Sequence, residues 1–163
     1  MTNRPLLSLV LAVLLAPVAR ARKPSPLPEF PLTTSDGRIV QSSQIRLPNH
    51  WLLIYVHQNS GHSALVLNSL AGEQPSALGQ KIVIIVGGAR AADLPDMSKK
   101  YPHMATVSWY ADPKREAMKA LGLRASPVVL GVRHDTVQWS LVGTLPDREQ
   151  MKSILRTWKN KDK

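Results

Sequence analysis

Two short, nearly unbroken apolar runs dominate the middle of the chain, Trp51-Leu-Leu-Ile-Tyr-Val56 and Lys81-Ile-Val-Ile-Ile-Val86. Runs of that length without polar alternation predict strands covered on both faces. Between them Leu65, Leu67 and Leu70 predict a helix over 64–71, the crossover that two parallel neighbours need. Thr106-Val-Ser-Trp-Tyr110 predicts a third strand. Asp112-Pro113 then predicts a helix with an N-cap and a proline at its first position, running to Gly122. The apolar segments 127–132 and 136–142 flank His134-Asp135 and predict a hairpin. Met151, Ile154, Leu155 and Trp158 recur at i, i+3, i+4 and i+7, which predicts a closing helix from Asp147. Upstream, Ser35-Asp-Gly-Arg38 predicts a turn between two short extended pieces. The succession is an α/β fold: a central mixed sheet, mostly parallel with an antiparallel hairpin, flanked by helices.

The ends of the chain follow other rules. Arg4 precedes a charge-free stretch of 15 residues from Pro5 to Ala19, and Ala19-Arg20-Ala21 fits the small-x-small cleavage pattern. Residues 1–21 are therefore expected to be a signal peptide, and the protein periplasmic or secreted. A permanent span needs roughly 20 apolar residues, and Pro17 interrupts this stretch. Arg20, Arg22 and Lys23 crowd the cut, so a leader retained as a membrane anchor is the alternative. Residues 22–32 contain Lys-Pro-Ser-Pro-Leu-Pro-Glu-Phe-Pro, whose prolines forbid helix and predict an extended linker. The folded domain is expected over 33–163.

At 163 residues with 44% hydrophobic positions, the chain has enough apolar surface for one domain with its own core. Cysteine is absent, which excludes disulfides, thiolate catalysis and cysteine-ligated metals. His50, His57, His62, His103 and His134 show no metal-ligand spacing, so neither a metal nor a cofactor is expected. The formal charge of +10 favours anionic surroundings. Part of it forms a stripe: Arg148, Lys152, Arg156, Lys159 and Lys163 share one side of the closing helix. Anionic lipid headgroups or an acidic partner suit that stripe, but a solvated face of a terminal helix is the simpler account. Nucleic acid is not expected, because no aromatic residues interleave with the basic ones.

Three segments together resemble a known family. Trp51-Leu-Leu-Ile-Tyr-Val-His-Gln-Asn-Ser-Gly-His-Ser63 is similar to the central strand and active-site turn of thioredoxin-like proteins, above all the exported redoxin and TlpA type. Leu121-Gly-Leu-Arg-Ala-Ser-Pro-Val-Val-Leu130 resembles the family segment whose proline is cis and faces the redox motif. The lead-in Phe30-Pro-Leu-Thr-Thr-Ser-Asp-Gly-Arg-Ile-Val40 resembles the redoxin opening. The resemblance implies a thioredoxin-like fold, with Ser60-Gly61-His62-Ser63 standing where the family has Cys-x-x-Cys.

Thiol–disulfide exchange needs a thiolate that forms a mixed disulfide, and a serine hydroxyl does neither. Ser60 and Ser63 are thus degenerate redox positions, and Ser60 also suits a helix N-cap. The resemblance implies a groove instead, formed by Ser60, Gly61, His62, Ser126 and Pro127, that binds an extended segment of a client. Tyr55, Trp109 and Trp139 are either its apolar floor or core. The expected function is a non-catalytic protein-binding or accessory module of the cell envelope. The alternatives are a glutathione-transferase-like enzyme that holds a small thiol at Ser60, or a structural accessory without a client groove.

Overall fold

The computed structural model describes residues 23–71, 81–145 and 147–161. The proposed leader and Lys163 lie outside the described residues. The strands are β1 (Ser25–Pro26), β2 (Pro31–Thr33), β3 (Ile39–Gln41), β4 (His50–His57), β5 (Ile82–Gly87), β6 (Ser108–Asp112), β7 (Val128–Arg133) and β8 (Thr136–Val142). The α-helices are α1 (Gly61–Asn68), α2 (Leu94–Lys99), α3 (Glu116–Ala120) and α4 (Arg148–Lys159).

All eight strands form one mixed sheet in the order β1-β8-β7-β4-β5-β6-β2-β3. β4, β5 and β6 run parallel to one another. β7 pairs antiparallel with β4, and β8 with β7 in the expected hairpin. Antiparallel pairing extends beyond that hairpin, since β1 joins β8 and β2 joins both β3 and β6.

The apolar runs are continuous because both faces of the sheet are covered. Leu52, Ile54, Val56, Ile82, Ile84 and Val86 face one core with Val66 and Leu67 of α1, Leu94 and Met97 of α2, and Met151, Leu155 and Trp158 of α4. Trp51, Leu53, Tyr55, Val83 and Ile85 face the second core, closed by Ile45 and by Ala117 and Leu121. Alternation along each strand distributes these side chains between the two layers.

Two expectations need correction. Residues 23–32 of the expected 22–32 linker are no spacer: β1 pairs with β8, and Leu27 and Phe30 are buried in the second core. The domain therefore begins before residue 33. Prolines forbid helix but leave extended chain free to pack on an edge. Second, Asp112 ends β6 rather than capping a helix at position 113, and α3 starts only at Glu116. Asp112 still serves that helix from below, its Oδ1 accepting from the N–H of Glu116 at 2.7 Å and its Oδ2 from that of Met118 at 3.2 Å.

Candidate functional site

Parallel pairing brings the carboxyl ends of three strands to one edge, with His57 beside Gly87 and Gly87 beside Asp112. Ligands of open α/β sheets bind at such an edge. The turn leaving β4 passes through Asn59 at φ 60° and enters α1. Ser60 is the N-cap, as its residue type predicts, and its Oγ accepts from the N–H of Ser63 at 3.3 Å. Ser63 is buried, and its Oγ accepts from the N–H of His57 at 3.1 Å. Both hydroxyls therefore hold the turn to its own backbone. Gly61 and His62 are exposed at the tip.

The Ser126–Pro127 bond is cis, as the resemblance implies. The register that pairs Tyr55 with Val128 places Ser126 and Pro127 beside the end of β4, at the edge from which the Ser60 turn departs. Pro127 is buried and its carbonyl accepts from the N–H of Gly143 at 2.8 Å, whereas Ser126 is half-buried. The expected groove residues thus share one edge. A cavity of about 230 Å³ beside the turn is lined by His57, Ser60, Gly61, Ser63, Lys100 and Tyr101, among others, and Ser126 and Pro127 lie outside it. That volume is below the roughly 300–1,000 Å³ of small-molecule pockets, which disfavours a glutathione-sized ligand at Ser60. Burial pushes the Tyr101 hydroxyl above its ordinary range.

The aromatic residues considered for a groove floor have other roles. Tyr55 is fully buried and donates its hydroxyl to Asp112 Oδ2 at 3.1 Å. Burial pushes that phenol well above its ordinary range, and the neighbouring Asp112 carboxylate adds to the shift. Trp109 stacks on Tyr101 with ring centroids 6.0 Å apart, and Trp139 meets Trp158 edge-on at 5.6 Å. Tyr55 belongs to the second core, while Trp109 and Trp139 are half-buried and pack against the first.

Among the described residues no three His, Asp or Glu side chains are grouped to hold a metal ion, and no helix is long and apolar enough to cross a membrane. The histidines are dispersed: His50 packs edge-on against Trp158 and His103 Nε2 lies 3.1 Å from the carbonyl of Leu67, while His134 occupies the β7–β8 turn. Of the basic stripe, Arg148, Lys152, Arg156 and Lys159 fall within α4, and its described side chains are not a row of free cations. Lys152 pairs with Glu149 at 2.9 Å.

No sequence motif marks Arg115. It sits at φ 58° between β6 and α3, exposed beside the same edge.

No protein-family model matches the sequence, and no curated protein matches it either. Solved structures do match in three dimensions. A putative thiol:disulfide interchange protein DsbE from Chlorobium tepidum superposes with a TM-score of 0.67 at 18% identity, covering 86% of this chain and 100% of that one. A secreted Mycobacterium tuberculosis disulfide oxidoreductase homologous to E. coli DsbE gives 0.60 at 13% identity over 78% of this chain and 95% of its own. The exposed lipoprotein thioredoxin Etrx1 from Streptococcus pneumoniae gives 0.54 at 14% over 78% and 98%. The expected architecture and these likenesses coincide: the fold is thioredoxin-like, shared with DsbE-type redoxins, in a chain that has no cysteine.

Proposed function

We propose that this protein is an exported, non-catalytic thioredoxin-like module that binds an extended segment of another cell-envelope protein. The groove is the edge carrying Ser60, Gly61, His62, Ser126 and Pro127. One observation carries the reading: the turn that resembles a redox site is intact as a structure, yet its two reactive positions are serines hydrogen-bonded to their own backbone. A scaffold that keeps the turn without its chemistry retains a shape and an exposed rim. His62 and Leu65 are exposed on α1, Leu65 being 49% exposed. Strand addition supplies the binding mode, with backbone pairing for affinity and side chains for selectivity. The apolar leader 5–19 supports export, as do the words "secreted" and "exposed lipoprotein" used of two similar structures.

The test is site-specific photo-crosslinking in cells, with the probe at position 62, at position 126, or on the far side at position 161. Adducts from 62 and 126 but not from 161 are expected. His62→Ala should reduce the yield from position 126 with little change in Tm, because exposed substitutions usually cost within about 0.5 kcal/mol, and Ser126→Lys, at a half-buried position, should reduce the yield from position 62. If adduct formation survives both changes but is lost on neutralising Arg148, Lys152 and Arg156, the binding surface is the α4 stripe and the groove is wrong. Intact-mass measurement of the native protein checks export, a mature chain starting at Arg22 being expected.

A further inference from the structure

Among the described residues four non-glycine positions have positive φ: Asn49, Asn59, Arg115 and His134. Asparagine and histidine are enriched in that conformation, arginine is not. Glycine would occupy it without steric cost, so a long cationic side chain placed there asks for a reason outside the backbone.

Its surroundings supply one. Arg115 Nε and Nη2 each lie 3.8 Å from the point where a β-carbon on Gly88 would sit, and His57 Cε1 lies 3.4 Å from the same point. Gly88 is exposed at φ 76°, its N–H held at 2.9 Å by the carbonyl of Asp112. Arginine and histidine thus approach one bare patch of backbone at the carboxyl edge, next to the turn that leads from His57 to Ser60. Neither ring nor guanidinium makes a hydrogen bond or ion pair among the described residues. The carboxylate beneath them is already served: Asp112 accepts from Tyr55, Glu116 and Met118, and no ion pair joins it to Arg115. The guanidinium fork is left with unused donors in the geometry that suits a carboxylate.

We propose that Arg115 and His57 form a carboxylate-binding subsite over Gly88, which takes an acidic side chain or the C-terminal carboxylate of the bound segment. The inference rests on the groove reading and names the chemistry of its partner.

The test uses three blocked tripeptides at matched ionic strength: one with a central glutamate and an amidated end, one of alanines with a free carboxyl end, and one of alanines with an amidated end. Binding is read by NMR at the His57 ring and the Arg115 Nε–H. Saturable shifts with either acid peptide and none with the neutral one are expected, and the tighter acid peptide identifies the source of the carboxylate. Arg115→Gly should weaken the His57 response at least about tenfold while holding Tm within about 4 °C of the parent, since glycine relieves the left-handed backbone. Equal responses to all three peptides, or a response that persists in Arg115→Gly, would overturn the subsite. So would a larger fall in Tm, which would make Arg115 a structural residue. Failure of the acid peptides with position-62 crosslinking intact removes the subsite alone, whereas loss of crosslinking removes the groove on which it rests.

Discussion

Gly87, Tyr55 and Asp112 fix one another at the end of the parallel strands. A β-carbon on Gly87 would collide with the Tyr55 hydroxyl, and that hydroxyl cannot retreat because Asp112 holds it inside the core. Gly87→Ala is expected to cost about 1–3 kcal/mol by overpacking, read from denaturant melts. Tyr55→Phe should cost about 1–3 kcal/mol for one lost hydrogen bond to a charged group. Asp112→Ala should cost more than either, because it leaves the buried phenol and the N–H groups of Glu116 and Met118 without an acceptor. If Asp112→Ala proves the milder change, the account of Asp112 as the tie between β4, β6 and α3 fails. A second carboxylate works at the surface. The Thr34 hydroxyl, then Arg38, lowers the Asp36 carboxyl from 3.8 to about 2. Because the folded value is depressed, the stabilisation is complete above the unfolded value and is lost as pH falls through about 2. NMR titration of the carboxyl carbon should place the midpoint near that value, and Thr34→Val should raise it.

At the scale of elements, Trp158 adds a hydrogen bond and ring contacts to the apolar packing of Met151 and Leu155 that holds α4 on the sheet. Trp158 donates its indole N–H to the Trp51 carbonyl at 3.0 Å, and its ring meets His50 and Trp139 edge-on. Trp139 in turn lies over Gly131, where a β-carbon would strike the indole. Trp158→Ala is expected to cost about 3–5 kcal/mol. Trp158→Phe keeps the ring but loses the bond, and about 1–2 kcal/mol should go with it. Calorimetry or chemical melts separate the two. This helix was legible in the sequence because its apolar residues repeat at 3.6 and Asp147 announces its start. β4, β5 and the β7–β8 hairpin were legible for similar reasons, each being a short apolar run with local punctuation. The rest was hidden where the deciding partner is distant. Asp112-Pro113 has the form of an N-cap, but a strand end and a core tyrosine claim the carboxylate. The prolines of 22–32 conceal Leu27 and Phe30, whose burial depends on a sheet edge far along the chain. Of the candidate site, Ser60 could be placed because capping is local. Ser126 and Pro127 are legible only through the resemblance, and Arg115 is not legible at all, because nothing in its neighbours forecasts a left-handed backbone.

The whole molecule has the thioredoxin-like fold, and that makes the absence of redox chemistry testable by introducing the sulfurs. Three determinants of a reactive thiol are present at position 60 apart from the sulfur. The position caps α1 with backbone extended at φ −95° and ψ 122°, it receives the Ser63 N–H, and α1 carries no acidic residue in its first turn to oppose an anion. A helix start with unopposed N–H groups lowers a thiol's pKa from about 8.5 into the range of about 3.5–7.5. Position 63 follows one turn later, close enough for a resolving thiol, and it is buried, so attack by an external thiol should fall on position 60. The unaltered chain is expected to show no reduction of insulin disulfides. The Ser60→Cys, Ser63→Cys double variant should form an internal disulfide, titrate one thiolate below the free-cysteine value and reduce insulin at a measurable rate. The single Ser60→Cys variant should trap mixed disulfides and fail to turn over, since nothing resolves them. Insulin reduction by the unaltered protein would overturn the reading of the chain as non-catalytic. A double variant whose thiol at position 60 titrates like free cysteine would show that the α1 start no longer stabilises an anion, and the turn would then be only a structural remnant of a redox site.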